Sequence, residues 1–480
     1  MLNTFNHKKT WHLKKYLLMC ILALTACSAT PYTPKPLDPY ASIKNLDAQA
    51  SESAGFNAFL LQNGYQETEL PLKNWDLHSL SLSAIYHHPQ LKLVEARRIL
   101  ASIAVSTAGL RQISTINGHL SRSNQANNDI RAWSYGLGFD IPIETSGKRR
   151  FRIEEAQHLA NVARLDVAET AWQLRSQIAQ NLLQYQEKIH LIRLLEDEHK
   201  LYQSIVNMLE KKLNQGLASQ TELGAYRILL QKNQFFIRNT LAQSEEIQTK
   251  LAANSGLSLA QFKKLKLTSL DLKTALDQQT HLLEQAQSND TLQQSALLNR
   301  IDIRRALAKY AAAEAKIQLE IAKQIPDFSI SPGFFYEYGD KIWSLGIVSL
   351  LNLVNKNQTL ASEATQLREI EAAQFDALQA QIIADLNQAQ VQFKTTKTIV
   401  KEWENMQQSH QKQHILIKKQ FNAGLIDKVE LTLDRLNENL TTQELQQAQF
   451  AMLSAIQQIE NIVQHPLNSS HIMPSEYVHE

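Results

Sequence analysis

The sequence predicts an α+β membrane protein in which each chain gives four strands to a β-barrel and continues that barrel as long, packed helices. Three observations support this fold class: segments with alternating side chains, long segments without glycine or proline, and an order of elements that occurs twice. The 480 residues include only 14 glycines and 11 prolines, a composition typical of long helices because both residues destabilise a helix interior. The nearly balanced net charge of +2 gives no indication of nucleic-acid binding.

The N-terminus has the pattern of a secretory signal. Several lysines precede an apolar run from Tyr16 to Leu24, which is shorter than the ~20 apolar residues that a membrane-spanning helix needs. The run ends in Leu24-Thr25-Ala26-Cys27, which is similar to the lipobox of bacterial lipoproteins. This pattern predicts a signal peptide and lipidation of Cys27, and the alternative is an ordinary cleaved signal with an incidental cysteine.

Two landmarks recur at nearly the same offset, which indicates that the chain contains two related halves. The tetrapeptide WSYG at 133–136 has a counterpart, WSLG, at 343–346, and GLASQTEL from Gly216 has a counterpart, GLIDKVEL, from Gly424. Each half reads helix, two strands, very long helix, turn and helix, with the first helices expected around 89–113 and 297–323. We divide the chain into a signal peptide (1–26), a lipid-anchored tether (27–70), a first repeat (71–253), an equatorial linker (254–295), a second repeat (296–467) and a C-terminal tail (468–480).

The predicted strands alternate in side-chain character. In the first half the odd-numbered positions from Trp133 to Ile143 are apolar, and the second half shows a similar pattern from Asp327 to Tyr338, with Phe335 as the exception. Tilted strands of ~9–11 residues can cross a bilayer. Taken alone, this pattern fits a half-buried soluble sheet equally well. An interfacial aromatic girdle is indicated near the two turns by Trp133, Tyr135, Tyr336, Tyr338 and Trp343.

Two stretches, 148–215 and 347–423, contain neither glycine nor proline. A helix over the first would be ~100 Å long. Apolar residues spaced four and three apart from Ile178 to Ile192 predict a seam that packs beside neighbouring helices. The polar opposite faces fit the wall of a water-filled tube or a solid rod, and the strands favour the tube. Because four strands leave open edges that lipid does not tolerate, we expect several chains to close one barrel.

On these features the chain resembles the TolC family of outer-membrane efflux proteins, from about residue 88 to 467. The resemblance rests on the repeated order, on the opening His88-Pro89-Gln90-Leu91 and on the two Gly-Leu turns. The junction Ile141-Pro142-Ile143-Glu144-Thr145-Ser146-Gly147-Lys148-Arg149-Arg150 is similar to that of the heavy-metal, CzcC-like branch. The corresponding second-half junction, 349–355, departs from the family because it lacks the usual proline.

The resemblance implies a homotrimer with a 12-stranded barrel in the outer membrane and a helical tunnel in the periplasm. Such a channel takes its substrate, heavy-metal cations in this branch, from an inner-membrane RND-type pump through a periplasmic adaptor. A drug-efflux or type I secretion exit duct of the same fold is one alternative. A periplasmic coiled-coil scaffold is an alternative of another class.

Enzyme motifs are absent from the sequence, so we expect neither catalysis nor a cofactor. His410 and His414 have the spacing of a helical metal pair, but a solvated helix face is the preferred interpretation. His87 and His88 are interpreted as the polar start of a helix.

The resemblance also implies functional positions. The second-half turn is followed by Glu430 and Asp434, one helical turn apart, which are expected to form a cation-attracting constriction; the next family gate position falls on Leu433. A solvated helix face is the alternative for that pair, and simple closure of helix hairpins is the alternative for the turns. The adaptor is expected to dock on Gly216, Leu217, Ser219, Glu222, Gly424, Leu425 and Asp427.

Overall fold

The chain divides into two compact units, Met1–Ala48 and Gln49–Glu480. The first unit is described over 32–41, where the side chains are exposed and the amide of Tyr40 donates a hydrogen bond to the Asp38 carboxylate at 2.9 Å. Cys27, the predicted signal peptide 1–26 and the predicted tail 468–480 lie outside the described residues. The computed structural model describes residues 32–41, 53–124, 131–287, 294, 297–298, 300–349 and 356–467.

The second unit combines helices with a single sheet among its described residues. A short 3-10 helix, Glu67–Glu69, follows the first helix. The helices and strands in chain order are α1 (Ala54–Gln62), α2 (Leu77–His87), α3 (Pro89–Ala108), β1 (Thr115–Arg122), β2 (Trp133–Ile143), α4 (Lys148–Asn214), α5 (Gln220–Asn254), α6 (Leu259–Phe262), α7 (Leu272–Gln287), α8 (Ile301–Ala322), β3 (Phe328–Glu337), β4 (Asp340–Ser349), α9 (Lys356–Asn422) and α10 (Lys428–Val463).

The four strands form an antiparallel sheet in the order β1-β2-β3-β4, so strands that follow each other in sequence are also neighbours in space. The central pair joins the two predicted halves, with Tyr135 opposite Tyr336 and Ile141 opposite Ile330. The outer strands β1 and β4 are the edges of this sheet in the single chain. An edge strand presents backbone groups to which another strand can pair.

Two sequence expectations about this region are wrong in detail. The helix expected to reach residue 113 ends at Ala108, and β1 begins at Thr115. Tyr338 is not a strand residue but lies in the β3–β4 turn, where its φ of 48° is incompatible with an extended strand. The sharp turn continues through Gly339, whose φ is 131°.

The two long helices match the prediction closely. Helices α4 and α9 contain 67 residues each, which corresponds to ~100 Å. Helix α4 packs along α3, α5, α8 and α10, and α9 packs along α8 and α10. The predicted seam of α4 is buried at Ile178 and Ile192 and continues as the buried Ile205 and Leu209.

Three apolar clusters stabilise the helical part. One cluster contains Phe56 and Trp75 beside the first half of α4, and a second joins α7, α9 and α10. The third lies beneath the helix turns and includes Tyr202 and Leu223. The linker packs onto this bundle, because the amide of Trp75 donates to the Lys266 carbonyl at 2.8 Å and the Thr268 amide donates to the Trp75 carbonyl at 2.8 Å.

Candidate functional site: the helix turns and the two faces of the sheet

The α4–α5 and α9–α10 turns have the same backbone geometry. Gly216 has a φ of 73° and Gly424 a φ of 74°, a left-handed conformation that glycine adopts without the steric cost of a Cβ. In the first turn the Leu217 amide donates to the Lys212 carbonyl at 2.8 Å, and in the second the Leu425 amide donates to the Gln420 carbonyl at 3.0 Å. Both turns therefore use the hydrogen-bond pattern that commonly closes a helix at glycine.

The apolar residue after each glycine is exposed. Leu217 is 70% exposed and Leu425 is 74% exposed. A Cβ added to either glycine would meet no atom within 4 Å, so the turns are open on their outer side in the single chain. Beneath them, Leu223 and Val429 are buried. The turns therefore combine a buried apolar layer with two apolar side chains that no described residue covers.

Polar residues at the predicted docking surface cap the helices. The Ser219 hydroxyl accepts from the Glu222 amide at 3.0 Å, and the Asp427 carboxylate accepts from the amides of Val429 at 2.8 Å and Glu430 at 3.0 Å. These contacts satisfy amide groups that have no partner within a helix. The side chains of Ser219 and Glu222 remain exposed. The structure thus gives Ser219 and Asp427, two of the predicted docking positions, a role in capping the helices.

The two turns also contact each other. The Lys212 ammonium donates to the Asp427 carboxylate, which links the end of α4 to the start of α10. This donation, followed by that of the Glu430 amide, lowers the pKa of the Asp427 carboxyl below its usual value. The predicted first and second docking turns therefore lie side by side.

The two predicted constriction residues differ in environment. Glu430 is exposed, whereas Asp434 is only 7% exposed. The Asp434 carboxylate is covered by α9, from which the Nδ1 of His414 approaches it at 2.5 Å. His414, which the sequence spacing pairs with His410, therefore contacts an acidic residue of the next helix. Sequence spacing did not reveal this contact because the two residues lie on different helices.

The sheet has two chemically unlike faces. Trp133, Leu137 and Phe139 project from β2 to one face, and all three are exposed. The same face continues on β4, where Trp343 is 82% exposed. The positions between the apolar ones are small or polar and include Ser134 and Asp140. The alternation that the sequence predicts is confirmed, and the apolar side chains lie on a face that the described residues leave exposed.

Phe335, the exception to the alternation, lies on the polar face opposite Gly136. A Cβ at Gly136 would lie 2.3 Å from Phe335 Cδ1 and 2.6 Å from His119 Cε1, so both rings occupy the space that a side chain would fill. The two rings stack across the glycine with centroids 5.4 Å apart. No sequence pattern predicted the contact of His119 with Phe335, although a glycine flanked by aromatic residues on neighbouring strands is a signal for such packing.

Residues Gly147, Lys148 and Arg149 have structural roles at the junction between β2 and α4. Gly147 is left-handed at a φ of 71°, and the buried Lys148 donates to the Asp327 carboxylate at 2.7 Å and to the Ile325 carbonyl at 2.6 Å. Arg149 donates to the Gly109 carbonyl at 2.6 Å. The Lys148 contacts tie the first-half junction to the segment before β3, and the Arg149 contact ties it to the end of α3. The second-half junction at 350–355 lies outside the described residues.

His87 and His88 occupy two different sites. His88 caps the start of α3 as predicted, since its Nδ1 accepts from the Gln90 amide at 3.2 Å. His87 instead ends α2, is 4% exposed and packs against Phe56 with ring centroids 5.2 Å apart. Its Nε2 is buried without a hydrogen-bond partner. Burial, with a smaller contribution from Lys92, lowers the pKa of His87 to about 4.

Within the ranges that the structure describes, no helix combines the length and the apolar character needed to cross a membrane. The same residues contain no group of three or more histidine, cysteine, aspartate or glutamate side chains placed to hold a metal ion.

Residues 80–256 match the family model described as "Outer membrane efflux protein". No curated protein sequence matches the chain. Among solved structures, the outer membrane protein VceC from Vibrio cholerae is 14% identical, with 82% of this chain and 97% of that chain covered and a TM-score of 0.64. CusC, described in terms of transmembrane channel formation, is 15% identical, with 92% of this chain and 100% of that chain covered and a TM-score of 0.64.

The Campylobacter jejuni CmeC outer membrane channel is 14% identical, with 91% of this chain and 94% of that chain covered and a TM-score of 0.61. At these identities the likeness shows the fold, and the chain has the fold of TolC-family outer-membrane channels. The matched family model is described as an efflux protein, and CusC and CmeC are described in terms of channels, in line with the expectation of a non-catalytic chain.

Proposed function

We propose that this chain is the outer-membrane channel subunit of a tripartite efflux system that includes a periplasmic adaptor and an inner-membrane RND-type pump. The observation that carries the proposal is a sheet with two unlike faces that is joined to two helices of 67 residues. The exposed apolar face fits lipid, and the polar face fits a water-filled lumen. The long helices provide a wall that extends the lumen away from the membrane.

The channel is proposed to be a homotrimer. The edge strands β1 and β4 have no partner in the described single chain, and an open edge is not tolerated in lipid. Pairing β4 of one copy with β1 of the next in three copies gives a closed barrel of twelve strands. Each half of a subunit then contributes two strands to the barrel.

The substrate is proposed to be a heavy-metal cation, by resemblance of the 141–150 junction to the metal branch. Lys148 and Arg149 have structural contacts at this junction, so their presence is explained without any contact to an ion. A ring of Glu430 and Asp434 is proposed as the constriction. Exposed Glu430 fits that role directly, whereas Asp434 would first have to leave His414.

Cys27 is proposed as the lipid attachment point. It lies outside the described residues, and the lipobox-like tetrad supports the proposal. A Cys27→Ser chain should not incorporate radiolabelled palmitate and should detach more readily from membranes. Palmitate incorporation at the level of the unaltered chain would show that the anchor lies elsewhere.

The function is tested by expressing the full chain, with its neighbouring adaptor and pump, in cells that lack their own outer-membrane exit ducts. Restored tolerance to metal ions, together with ion conductance of the purified protein in planar bilayers, supports the metal-efflux proposal. Tolerance restored only for drugs favours the drug-efflux alternative. A protein that neither conducts nor fractionates with the outer membrane would favour the periplasmic scaffold.

A further inference from the structure

A cavity of about 340 Å³ opens on the polar face of the sheet. Its floor includes Gly138 and Gly333, which are opposite each other on β2 and β3. The space above Gly138 is open, since an added Cβ there would meet only ordinary contacts at 3.9 Å or more, whereas the Phe335 ring covers Gly333, where an added Cβ would lie 2.6 Å from Phe335 Cε2. The cavity is therefore built into the sheet and does not depend on a loop.

One wall of the cavity is aromatic. The Phe335 ring leans toward Gly138, where an added Cβ would lie 3.9 Å from Phe335 Cζ. His119 also lines the cavity and stacks with Phe335 at an interplanar angle of 26°. The ring of His119 is in turn held by Ser134, whose Oγ lies 3.3 Å from Nε2. The aromatic surface therefore has a fixed position.

The opposite wall carries a carboxylate. Asp140 is two residues beyond Gly138 on the same face of β2, a separation of ~7 Å along a strand. Its Oδ1 accepts from the Ser331 hydroxyl at 3.0 Å. Among the described residues Asp140 takes part in no ion pair at 4.0 Å or less, so a cation in the cavity would not compete with a lysine or arginine for this carboxylate.

We propose that this cavity binds an organic cation with an attached apolar group, such as an aryl-alkylammonium, on the channel wall. The ammonium would lie at Asp140, and the apolar group would lie on Phe335 and His119, which combines ion pairing with aromatic contact. The inference rests on the proposed function, because that function makes the polar face the lumen wall. Binding on a conduction path is weak enough for release, so this site slows passing cations without trapping them.

A bare metal ion fits the cavity less well. Asp140 is opposite Thr115 and His119 is opposite Gly136 in the β1–β2 register, so the two potential ligands are four residues apart. That spacing is ~13 Å along a strand, whereas ligands of one metal ion lie within ~2–2.5 Å of it. The separation instead matches an elongated ligand with a charged end and an apolar end.

The test uses the purified full-length channel in planar bilayers, with benzyltrimethylammonium as the probe. Millimolar probe should lower the single-channel current in a saturable way, and tetramethylammonium, which lacks the aryl group, should need about fivefold more. Asp140→Asn and Phe335→Leu should each raise the half-blocking concentration about fivefold or more, and Phe335→Tyr should leave it close to that of the unaltered channel. A fivefold change in half-blocking concentration corresponds to a smaller free energy than that of one typical cation–aromatic contact shielded from water.

Matched controls are Phe334→Leu, on the opposite face, and Glu337→Gln, which removes a carboxylate near the turn. Both should keep the block. The proposed site would be wrong, and the channel function unaffected, if the probe blocked Asp140→Asn as well as it blocks the unaltered channel. The same conclusion would follow if the two control variants lost as much block as the site variants. Saturation-transfer NMR on the protein in detergent measures probe binding without conduction. If the probe binds in the NMR experiment to a protein that does not conduct ions, the site is supported and the channel function is rejected. If the probe does not bind, the site is rejected.

Discussion

Lys212 at the end of α4 donates to the carboxylate of Asp427 at the start of α10, so the two helix turns are joined by an ion pair between residues 215 positions apart in sequence. Both side chains are partly exposed, and exposed ion pairs contribute little to stability. The same carboxylate caps α10 through the Val429 and Glu430 amides. Asp427 therefore has two separable roles, in capping and in pairing.

Asparagine and alanine at position 427 should separate these roles. Asp427→Asn retains a good cap and should change the free energy of unfolding by less than about 1 kcal/mol, whereas Asp427→Ala should cost about 1 kcal/mol or more because the α10 amides lose their acceptor. Since the pKa of Asp427 is lowered in the folded chain, its charged form contributes stability above the ordinary carboxyl pKa. That contribution should be lost as the pH falls through the lowered pKa.

Thermal unfolding in mild detergent, followed by circular dichroism between about pH 3 and pH 7, measures both effects. Lys212→Met serves as the control that removes the ion pair and keeps the cap. An unfolding profile of Asp427→Ala identical to that of Asp427→Asn at all pH values would contradict the capping role.

The exposed leucines of the two turns are predicted to couple the channel to its adaptor. Replacing Leu217 and Leu425 with glutamate places new charge beside Glu222 and Glu430 at a surface that the adaptor is proposed to cover. In vivo cross-linking to the adaptor should fall at least about tenfold, since two apolar contacts are lost and charge is buried. Assembly and membrane localisation should be retained, because both side chains lie outside the packed cluster.

A double variant with methionine at both positions is the matched control, since it preserves apolar character at similar volume. It should retain cross-linking and substrate tolerance. Normal cross-linking in the glutamate variant would show that the turns only reverse the chain, and loss of its assembly would show that they are folding elements.

Gly136 is predicted to be required for the sheet. A Cβ there would lie 2.3 Å from Phe335 and 2.6 Å from His119, so Gly136→Ala should force both rings to move and should destabilise the sheet by about 1–3 kcal/mol. Gly118→Ala is the matched control, because the nearest atom to its Cβ would lie at 3.8 Å, an ordinary contact. The temperature at which the assembly dissociates on a gel should fall for Gly136→Ala and stay nearly constant for Gly118→Ala.

A second substitution sharpens this comparison. Adding Phe335→Ala to Gly136→Ala removes the nearest obstacle and should recover part of the lost stability. If Gly136→Ala dissociates at the temperature of the unaltered protein, the glycine is not needed for ring packing.

The helices and strands differ in how well the sequence alone predicted them. Strict alternation identified β2 and its two faces, and the absence of glycine and proline identified α4 and α9. Strand β1, whose sequence is TINGHLSR, has too few apolar positions to show the same period, so its bounds were not predicted. Tyr338 continued an apparent strand pattern, and only the left-handed turn ended it.

The candidate sites were predictable where they depend on local geometry. Gly216 and Gly424 were correctly placed in helix turns because a turn needs a positive φ close in sequence to the helix end. Contacts between distant segments gave no such signal. The pairing of Asp434 with His414 joins two helices, and the stacking of His119 on Phe335 joins β1 and β3 across the β2 strand that lies between them.

His87 is predicted to make folding stability depend on pH. Its pKa is lowered to about 4 in the folded chain, so the unfolded chain binds a proton more readily below the ordinary histidine pKa of ~6.5. Stability should be constant above that value and should decrease as the pH falls toward about 4, by at most about 3 kcal/mol in total. His87→Phe should remove this dependence, and replacement of the exposed His281 by glutamine should retain it. Equal pH profiles for the unaltered and His87→Phe chains in denaturant unfolding would show that His87 is not responsible.

The central claim, that β1 and β4 of neighbouring copies close one barrel, is tested most directly by cysteine cross-linking. A cysteine at Asn117 on β1 is combined in turn with one at Ile342, Ser344, Gly346 or Val348, which lie along one face of β4. A disulfide forms only where the Cβ atoms approach within about 4.5 Å.

Ser331→Cys with Gly346→Cys is the control, because those residues are opposite each other within one chain. Oxidation in membranes should give covalent dimers and trimers for one β4 position and none for the control. Monomers at all four positions, from a protein that conducts ions, would contradict the shared barrel.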